Sequence, residues 1–169
     1  RVHPAMVPVR HPLAAVRDAF NAVFIEGDAV GELMLYGRGA GGAPTASAVL
    51  GDLVDAAKNL VEGRKGATIG VLAPKPIRAI DDVESQFYLS MEVADRPGVL
   101  AAIATEFGRH GVSIKSMQQR GAGHQDEARL VFATHRARES DLRATVRSLE
   151  DVEQVRRVGS VLRVMGEEE

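Results

Sequence analysis

The apolar and polar positions of this chain change period several times, and each change predicts a boundary between elements. The clearest succession runs through residues 86–119. Leu89, Met91 and Val93 alternate with Ser90 and Glu92, the period of a strand with one buried face. Asp95-Arg96-Pro97-Gly98 interrupts it: Pro fixes φ and lacks a donor, and Gly permits a left-handed or close backbone turn. From Val99 the spacing becomes helical. Val99, Leu100, Ile103, Ala104 and Phe107 share one face, and Glu106 and Arg109 fall outside it. Gly111 predicts the helix stop, and residues 112–117 alternate again. The pattern is strand, tight turn, helix, strand.

The pattern continues in kind. Residues 121–126 read as a loop and residues 128–134, with Leu130, Val131 and Phe132, as a strand. Ser140 is placed to cap a helix in which Leu142, Val146 and Leu149 recur at i, i+4 and i+7. Residues 155–164 supply a last strand, followed by an acidic tail, Glu167, Glu168 and Glu169, expected to be disordered. The order βαββαβ predicts an α+β, ferredoxin-like fold, with four antiparallel strands and both helices on one face. The other face is then solvated or covered by a partner.

Upstream, residues 1–12 hold Pro4, Pro8 and Pro12, which favours extended or edge structure. Residues 20–25 and 30–36 are apolar runs joined through Glu26-Gly27-Asp28, a hairpin signal. A glycine-rich loop, residues 37–45, then leads into a long amphipathic helix marked by Val49, Leu50, Leu53, Val54, Leu60 and Val61 and ended near Gly63. Ala46, Ala48 and Gly51 give that helix an edge of small residues.

Gly37, Gly39 and Gly42 formally satisfy G-x-G-x-x-G, and residues 67–73 read as a following strand. A dinucleotide fold would need an acidic residue ending that strand, but Ala73 leads into Pro74-Lys75-Pro76. The strand before the loop also belongs to a hairpin. Two readings stay open: a turn exposing backbone N–H groups to an anion or flat ligand, and a flexible turn capped at Thr45. Residues 74–85 are polar and proline-marked, dividing the chain into 1–73, a linker 74–85, and 86–166.

Composition narrows the function classes. The 169 residues are 45% hydrophobic and 26% charged, the balance of a globular protein. A net charge of −2 offers no footprint for nucleic acid or an anionic membrane. The absence of cysteine excludes disulfides, thiolate metal sites and a Cys nucleophile, and is compatible with the expected cytoplasmic location. His3 and His11 match no metal-ligand spacing. No apolar run reaches membrane-spanning length. The chain starts at Arg1 in apparently structured sequence, so the expectation is a piece of a longer protein.

Residues 86–119 resemble the first half of an ACT domain, the small-molecule-sensing module of amino-acid metabolism. The resemblance rests on Asp95, Pro97, Gly98, Val99 and Leu100, a D-x-P-G turn opening an apolar helix, and on Gly111, Val112 and Ile114 of the next strand. That family usually carries Asn where this chain has Ser113. Residues 20–60, with Gly39-Ala40-Gly41-Gly42 and Pro44-Thr45-Ala46, resemble the end of the catalytic region of homoserine dehydrogenases. That likeness implies an NAD(P)-dependent parent enzyme in which Gly39, Ala40 and above all Gly41 contact the nicotinamide cofactor. It also implies that the cofactor domain and proton-transfer residues lie upstream. No Lys precedes Lys58, so the substrate-domain portion holds no candidate for the catalytic lysine, and no catalytic residue is expected in this chain.

The ACT likeness implies feedback control by threonine and pairing into at least a homodimer. An amino-acid effector needs donors for its carboxylate and acceptors for its ammonium. The N–H groups of Gly98, Val99 and Leu100 at a helix N-terminus, with Asp95 nearby, supply both. Main-chain groups around Ser113 and Ile114, from a neighbouring subunit, would close the site. The alternative is an ACT-type binding or assembly module that senses nothing. RNA-recognition domains share the topology, but they need exposed aromatics and a basic surface, whereas the third strand offers only Phe132.

Overall fold

The structure is a computed structural model that describes residues 2–66, 70, 73–121 and 126–165. Most of the expected loop at 121–126, most of the expected strand at 67–73, and the acidic tail at 167–169 lie outside the described residues. The chain forms two compact units, one of residues 9–76 and one uniting residues 1–8 with 77–169.

In the larger unit, strand β1 (Ala5–Met6) precedes β4 (Glu84–Ala94), helix α2 (Val99–Arg109), β5 (Ile114–Gly121) and β6 (Glu127–Thr134). A two-residue β7 (Ala137–Arg138), helix α3 (Glu139–Glu150) and β8 (Val155–Val164) follow. The sheet order is β1-β8-β4-β6-β5, with β7 pairing the start of β4. Its four long strands pair antiparallel, as the βαββαβ pattern predicts. Strand β1 adds itself in parallel to β8, Ala5 opposite Arg163 and Met6 opposite Val164.

The alternation in β4 becomes two faces. Phe87, Leu89, Met91 and Val93 are buried, together with Ala128, Leu130 and Phe132 of β6. The helices cover this face with Val99, Ile103 and Phe107 from α2 and Leu142 and Leu149 from α3. The buried stripe of α2 is narrower than its periodicity suggests. Leu100 is 41% exposed and Ala104 is exposed too, because only the i, i+4, i+8 line of this short helix meets the sheet. The Phe107 and Phe132 rings meet at 5.2 Å, and His110 Nε2 lies 2.7 Å from Ser148 Oγ, tying α2 to α3.

Two polar devices complete this core. Thr134 is fully buried, and its Oγ1 accepts from the Phe87 N–H at 3.1 Å. At Gly111, φ of +69° lets α2 close in a double reversal: the Gly111 N–H donates to Gly108 O and the Val112 N–H to Phe107 O. The start of α3 differs from expectation. Ser140 does not cap it; the helix begins at Glu139, and Ser140 donates instead to Asp141 Oδ1.

On the uncovered face, Glu92 accepts from Arg157 at 3.1 Å and Arg129 at 3.3 Å, joining β8, β4 and β6. The guanidinium of Arg157, and secondarily that of Arg129, hold the Glu92 carboxyl below its ordinary 4.5. Beside it, Ser90 Oγ accepts from the Ser160 N–H where β8 shifts register against β4. A Cβ at Gly159 would stand 3.0 Å from that Oγ and 3.2 Å from the Ser90 carbonyl, so a side chain there would have to push Ser90 aside by a few tenths of an ångström.

The smaller unit contains a short 3-10 turn (Pro12–Ala15), β2 (Phe20–Gly27), β3 (Gly31–Arg38) and α1 (Gly42–Val61). The hairpin turns through residues 28–30 into Gly31 at φ +69°. Phe20 stacks on Tyr36 at 4.8 Å, and the Arg38 guanidinium sits 4.7 Å from the Phe20 ring. Helix α1 ends at Gly63 with the same double reversal as α2, through Gly63 to Leu60 and Arg64 to Asn59. No residue of α1 is buried, and Val49, Leu50, Leu53 and Val54 are about half exposed or more.

His3 Nδ1 lies 2.9 Å from the Pro4 carbonyl, while His11 accepts from the Leu13 N–H and meets Phe24 edge-on. Among the described residues no cluster of three or more His, Cys, Asp and Glu is placed to hold a metal, and no helix is long and apolar enough to cross a membrane.

Two predictions follow from this packing, both read by denaturant unfolding. Thr134→Val leaves the Phe87 N–H without an acceptor and should cost about 1–3 kcal/mol, and Phe107→Ala about 3–5 kcal/mol; an unchanged midpoint in either would contradict the core described. Glu92, with its folded pKa below the unfolded one, contributes stability present above the unfolded value and lost as pH falls through the folded value. Glu92→Gln should therefore flatten the decline in stability below about pH 4.5. An acid limb identical to that of the parent chain would contradict the Glu92 arrangement.

Candidate functional site

The turn between β4 and α2 is built by what each end demands. Strand β4 must end at Ala94, whose N–H donates to Gln154 O, and α2 must start on the same side as the buried face. Gly98 makes the reversal with φ +91° and ψ −18° and serves as the N-cap of α2 without a side-chain cap bond. The Ala102 N–H donates to Gly98 O, the first full turn of the helix.

The main-chain donors in front of this helix divide into used and open. Val99 N–H turns back to Arg96 O at a long 3.4 Å, and Arg96 N–H donates to Ala94 O. The N–H groups of Gly98, Leu100 and Ala101 meet no acceptor among the described residues. Ala101 thus joins the donors expected from sequence, and Val99 contributes mainly its buried side chain to the core. A Cβ added at Gly98 would meet nothing within 4 Å, so the space before the turn is open.

Asp95 supplies the acceptor. Its N–H donates to Asp126 O, and its Oδ1 accepts from Gln119 Nε2 at 3.1 Å. Gln119, which the sequence reading gave no role, is the β5 residue that orients this carboxylate. Its signal is hidden by the irregularity between Ile114 and Ser116, which shifts the phase of β5.

Ser113 and Ile114 lie elsewhere in the same chain. Ile114 pairs with Thr134, and Ser113 O accepts from the His135 N–H, at the end of β5 opposite Gln119. Five strand positions separate Ile114 from Gln119, roughly 15 Å. One copy of the chain therefore does not bring Ser113 and Ile114 to the Asp95 turn.

In the smaller unit, Gly39, Ala40 and Gly41 form the exposed corner between β3 and α1. The Gly39 N–H donates to Ala19 O, and a Cβ there would collide with the Asn21 amide at 1.8 Å. Gly41 has φ +126°, caps α1 through its carbonyl to the Thr45 N–H, and would place a Cβ 3.3 Å from Pro44. Thr45 lies inside the helix and does not cap it, since two glycines let the helix begin at Gly42, four residues earlier than a Thr45 cap would. Among the described residues the strand before the loop pairs only with β2, and antiparallel, so they form no parallel βαβ unit around the glycines.

Comparison with known proteins follows these same segments. Residues 1–54 match the family model for homoserine dehydrogenase, and residues 87–154 that for the ACT domain. The homoserine dehydrogenase of Mycobacterium tuberculosis (strain H37Rv) is 50% identical over 170 residues, covering 98% of this chain and 38% of that protein. That of Corynebacterium glutamicum is 47% identical over 164 residues, covering 97% of this chain and 36% of that protein. Among solved structures, a homoserine dehydrogenase from Thiobacillus denitrificans superposes with a TM-score of 0.82 at 34% identity, over 97% of this chain and 38% of that one. The chain thus spans less than two fifths of the length of these relatives. With relatives running through both matched segments, the chain is similar to a part of homoserine dehydrogenases, and its larger unit has the α+β, ferredoxin-like fold of an ACT domain.

Proposed function

We propose that this chain is the amino-acid-sensing portion of an NAD(P)-dependent homoserine dehydrogenase, a parent enzyme that interconverts L-aspartate 4-semialdehyde and L-homoserine. The observation that carries the sensing role is the turn at Asp95. Three open N–H groups there belong to the N-terminus of α2, where the dipole favours an anion, and an oriented carboxylate stands beside them. An α-amino acid presents the matching carboxylate and ammonium. L-Threonine is the effector of this reading, as the downstream product of the parent reaction.

The site is shared between copies. Because Ser113 and Ile114 sit at the far end of β5, they reach the Asp95 turn only from a second chain, so the sensing form is at least a homodimer. Strand β5 is the open edge of the sheet and is available for such a contact. The half-exposed apolar face of α1 is covered, in this reading, by the rest of the parent's catalytic half. Gly39, Ala40 and Gly41 then approach the nicotinamide cofactor, Gly41 most closely. The chain alone lacks the cofactor domain and a proton-transferring lysine, so it is inactive by itself and holds NAD(P) weakly at best. The protein works in the cytoplasm, where its substrates are made.

A ligand this small supplies about −4 to −8 kcal/mol, a millimolar to micromolar Kd. Its coupling to the parent reaction would be about 1–3 kcal/mol. Threonine titration calorimetry should give saturable binding to the chain and none to Gly98→Leu, whose side chain would fill the open space before the turn. The left-handed φ of +91° costs that variant about 1–2 kcal/mol of strain, so circular dichroism must establish that it is folded. Equal binding by the two folded proteins would place the effector elsewhere. Absence of binding to both would leave the ACT unit an assembly module without sensing, and dehydrogenase turnover by the purified chain would contradict the division of labour proposed here.

A further inference from the structure

A cavity of about 460 Å3 opens between α3, the inner face of β8 and the N-terminal arm, and shares no residue with the Asp95 turn. Its floor is apolar: Phe87, Leu142, Val146 and Val161. Its size and lining are those of a site for a small organic ligand.

The charged groups around it fall into two sets. Glu139, only 7% exposed, accepts from Arg143 at 3.3 Å and from Arg163, and Arg143 also pairs with Asp81 at 2.9 Å. These charges hold one another and stiffen one wall. Arg147 and Glu150 remain. Both are exposed, lie three residues apart on α3, line the cavity, and form no ion pair with any described residue. Residues at that spacing are neighbours on a helix surface. An unpaired cation and an unpaired anion beside an apolar floor fit a ligand carrying both charges and an aliphatic body.

We propose that this cavity is a second amino-acid site, distinct from the Asp95 turn, that takes a zwitterionic amino acid with an aliphatic side chain. Arg147 receives the carboxylate, Glu150 the ammonium, and Phe87, Val146 and Val161 the side chain. The opposite wall is His3 and Pro4, and the next two residues form β1 on the edge of β8. The ligand touches the arm only when it is docked, so binding and docking favour each other. The arm is itself the start of the segment that matches homoserine dehydrogenase, residues 1–54, which gives the site a covalent route to the rest of that segment.

The test uses the full 169-residue chain with L-leucine as probe. Two fragments of the probe accompany it: 4-methylpentanoate, which lacks the ammonium, and isoamylamine, which lacks the carboxylate. L-Leucine should bind saturably, and each fragment at least about tenfold more weakly. Arg147→Met and Glu150→Gln, both at exposed helix positions, should each weaken leucine by about tenfold or more. Leucine should also slow hydrogen exchange of the Met165 N–H, which donates to Met6 O at 2.9 Å and so reports arm docking. Gly98→Leu should leave leucine binding unchanged, which separates failure of this site from failure of the threonine reading. The proposal is overturned if leucine does not bind below about 10 mM, or binds indifferently to both substitutions. It is also overturned if Val161→Trp shifts a dimer to monomer while leucine has no effect, since the groove then belongs to a second copy of the chain.

Discussion

The constraint on which the larger unit depends is that β4 has neighbours on both sides and helices on one face. With β8 and β6 paired to its two edges, its register cannot slip without inverting every side chain between core and solvent. Phe87, Leu89, Met91 and Val93 can therefore lie only beneath α2 and α3, and Tyr88, Ser90 and Glu92 only on the opposite face. The Glu92 ion pairs and the Ser90 bond to the β8 bulge are consequences of that alternation. So is the Asp95 turn: a strand held this firmly must reverse at once to bring Val99 over the same face, and a left-handed glycine performs the reversal. The candidate site is in this sense the end of the packing problem.

The smaller unit shows what the same local signals yield without a core. Its hairpin register, its glycine turn and the closing bonds of α1 all follow their residues, yet no side chain of α1 is buried. Helices draw most of their stability from packing an apolar face. A twenty-residue helix with Val49, Leu50, Leu53 and Val54 uncovered has its packing partner still to meet. This agrees with a chain that spans less than two fifths of its relatives' length.

Legibility in the sequence divides along the same line, between local and non-local causes. The β8 limits, the stop of α2 at Gly111 and the hairpin follow from residues within a few positions of each other. The two misplaced caps have identifiable competitors. Ser140 loses its place because Glu139, drawn to Arg163 and Arg143, begins the helix two residues earlier than a Ser140 cap would, and Thr45 loses its place to the freedom of Gly41 and Gly42. Nothing in local periodicity announces that β1 will pair with β8, since the two lie at opposite ends of the chain. The candidate turn was legible because Pro and Gly mark it. Its partner Gln119 was not, because a register shift in β5 conceals which face that residue occupies.

The two proposed ligand sites stand at opposite ends of β4, the Asp95 turn beyond Ala94 and the α3 cavity beside Phe87. A ligand at one end does not act on the other by bending the strand between, since a close-packed sheet flanked on both edges has low compressibility. What each ligand can shift is an equilibrium between separate bodies. At the turn that body is, in the proposed reading, a second copy of the chain with its Ser113 and Ile114; at the cavity it is the arm, whose pairing with β8 closes the wall. Coupling between the sites would then depend on whether assembly and arm docking favour one another, and it must be reciprocal. If docking aligns the sheet edge used in assembly, each amino acid strengthens binding of the other. If the two events are independent, both ligands bind and neither changes the other's affinity. Titrating threonine in the presence and absence of saturating leucine distinguishes these cases, and because linkage is symmetric, the converse titration must return the same factor.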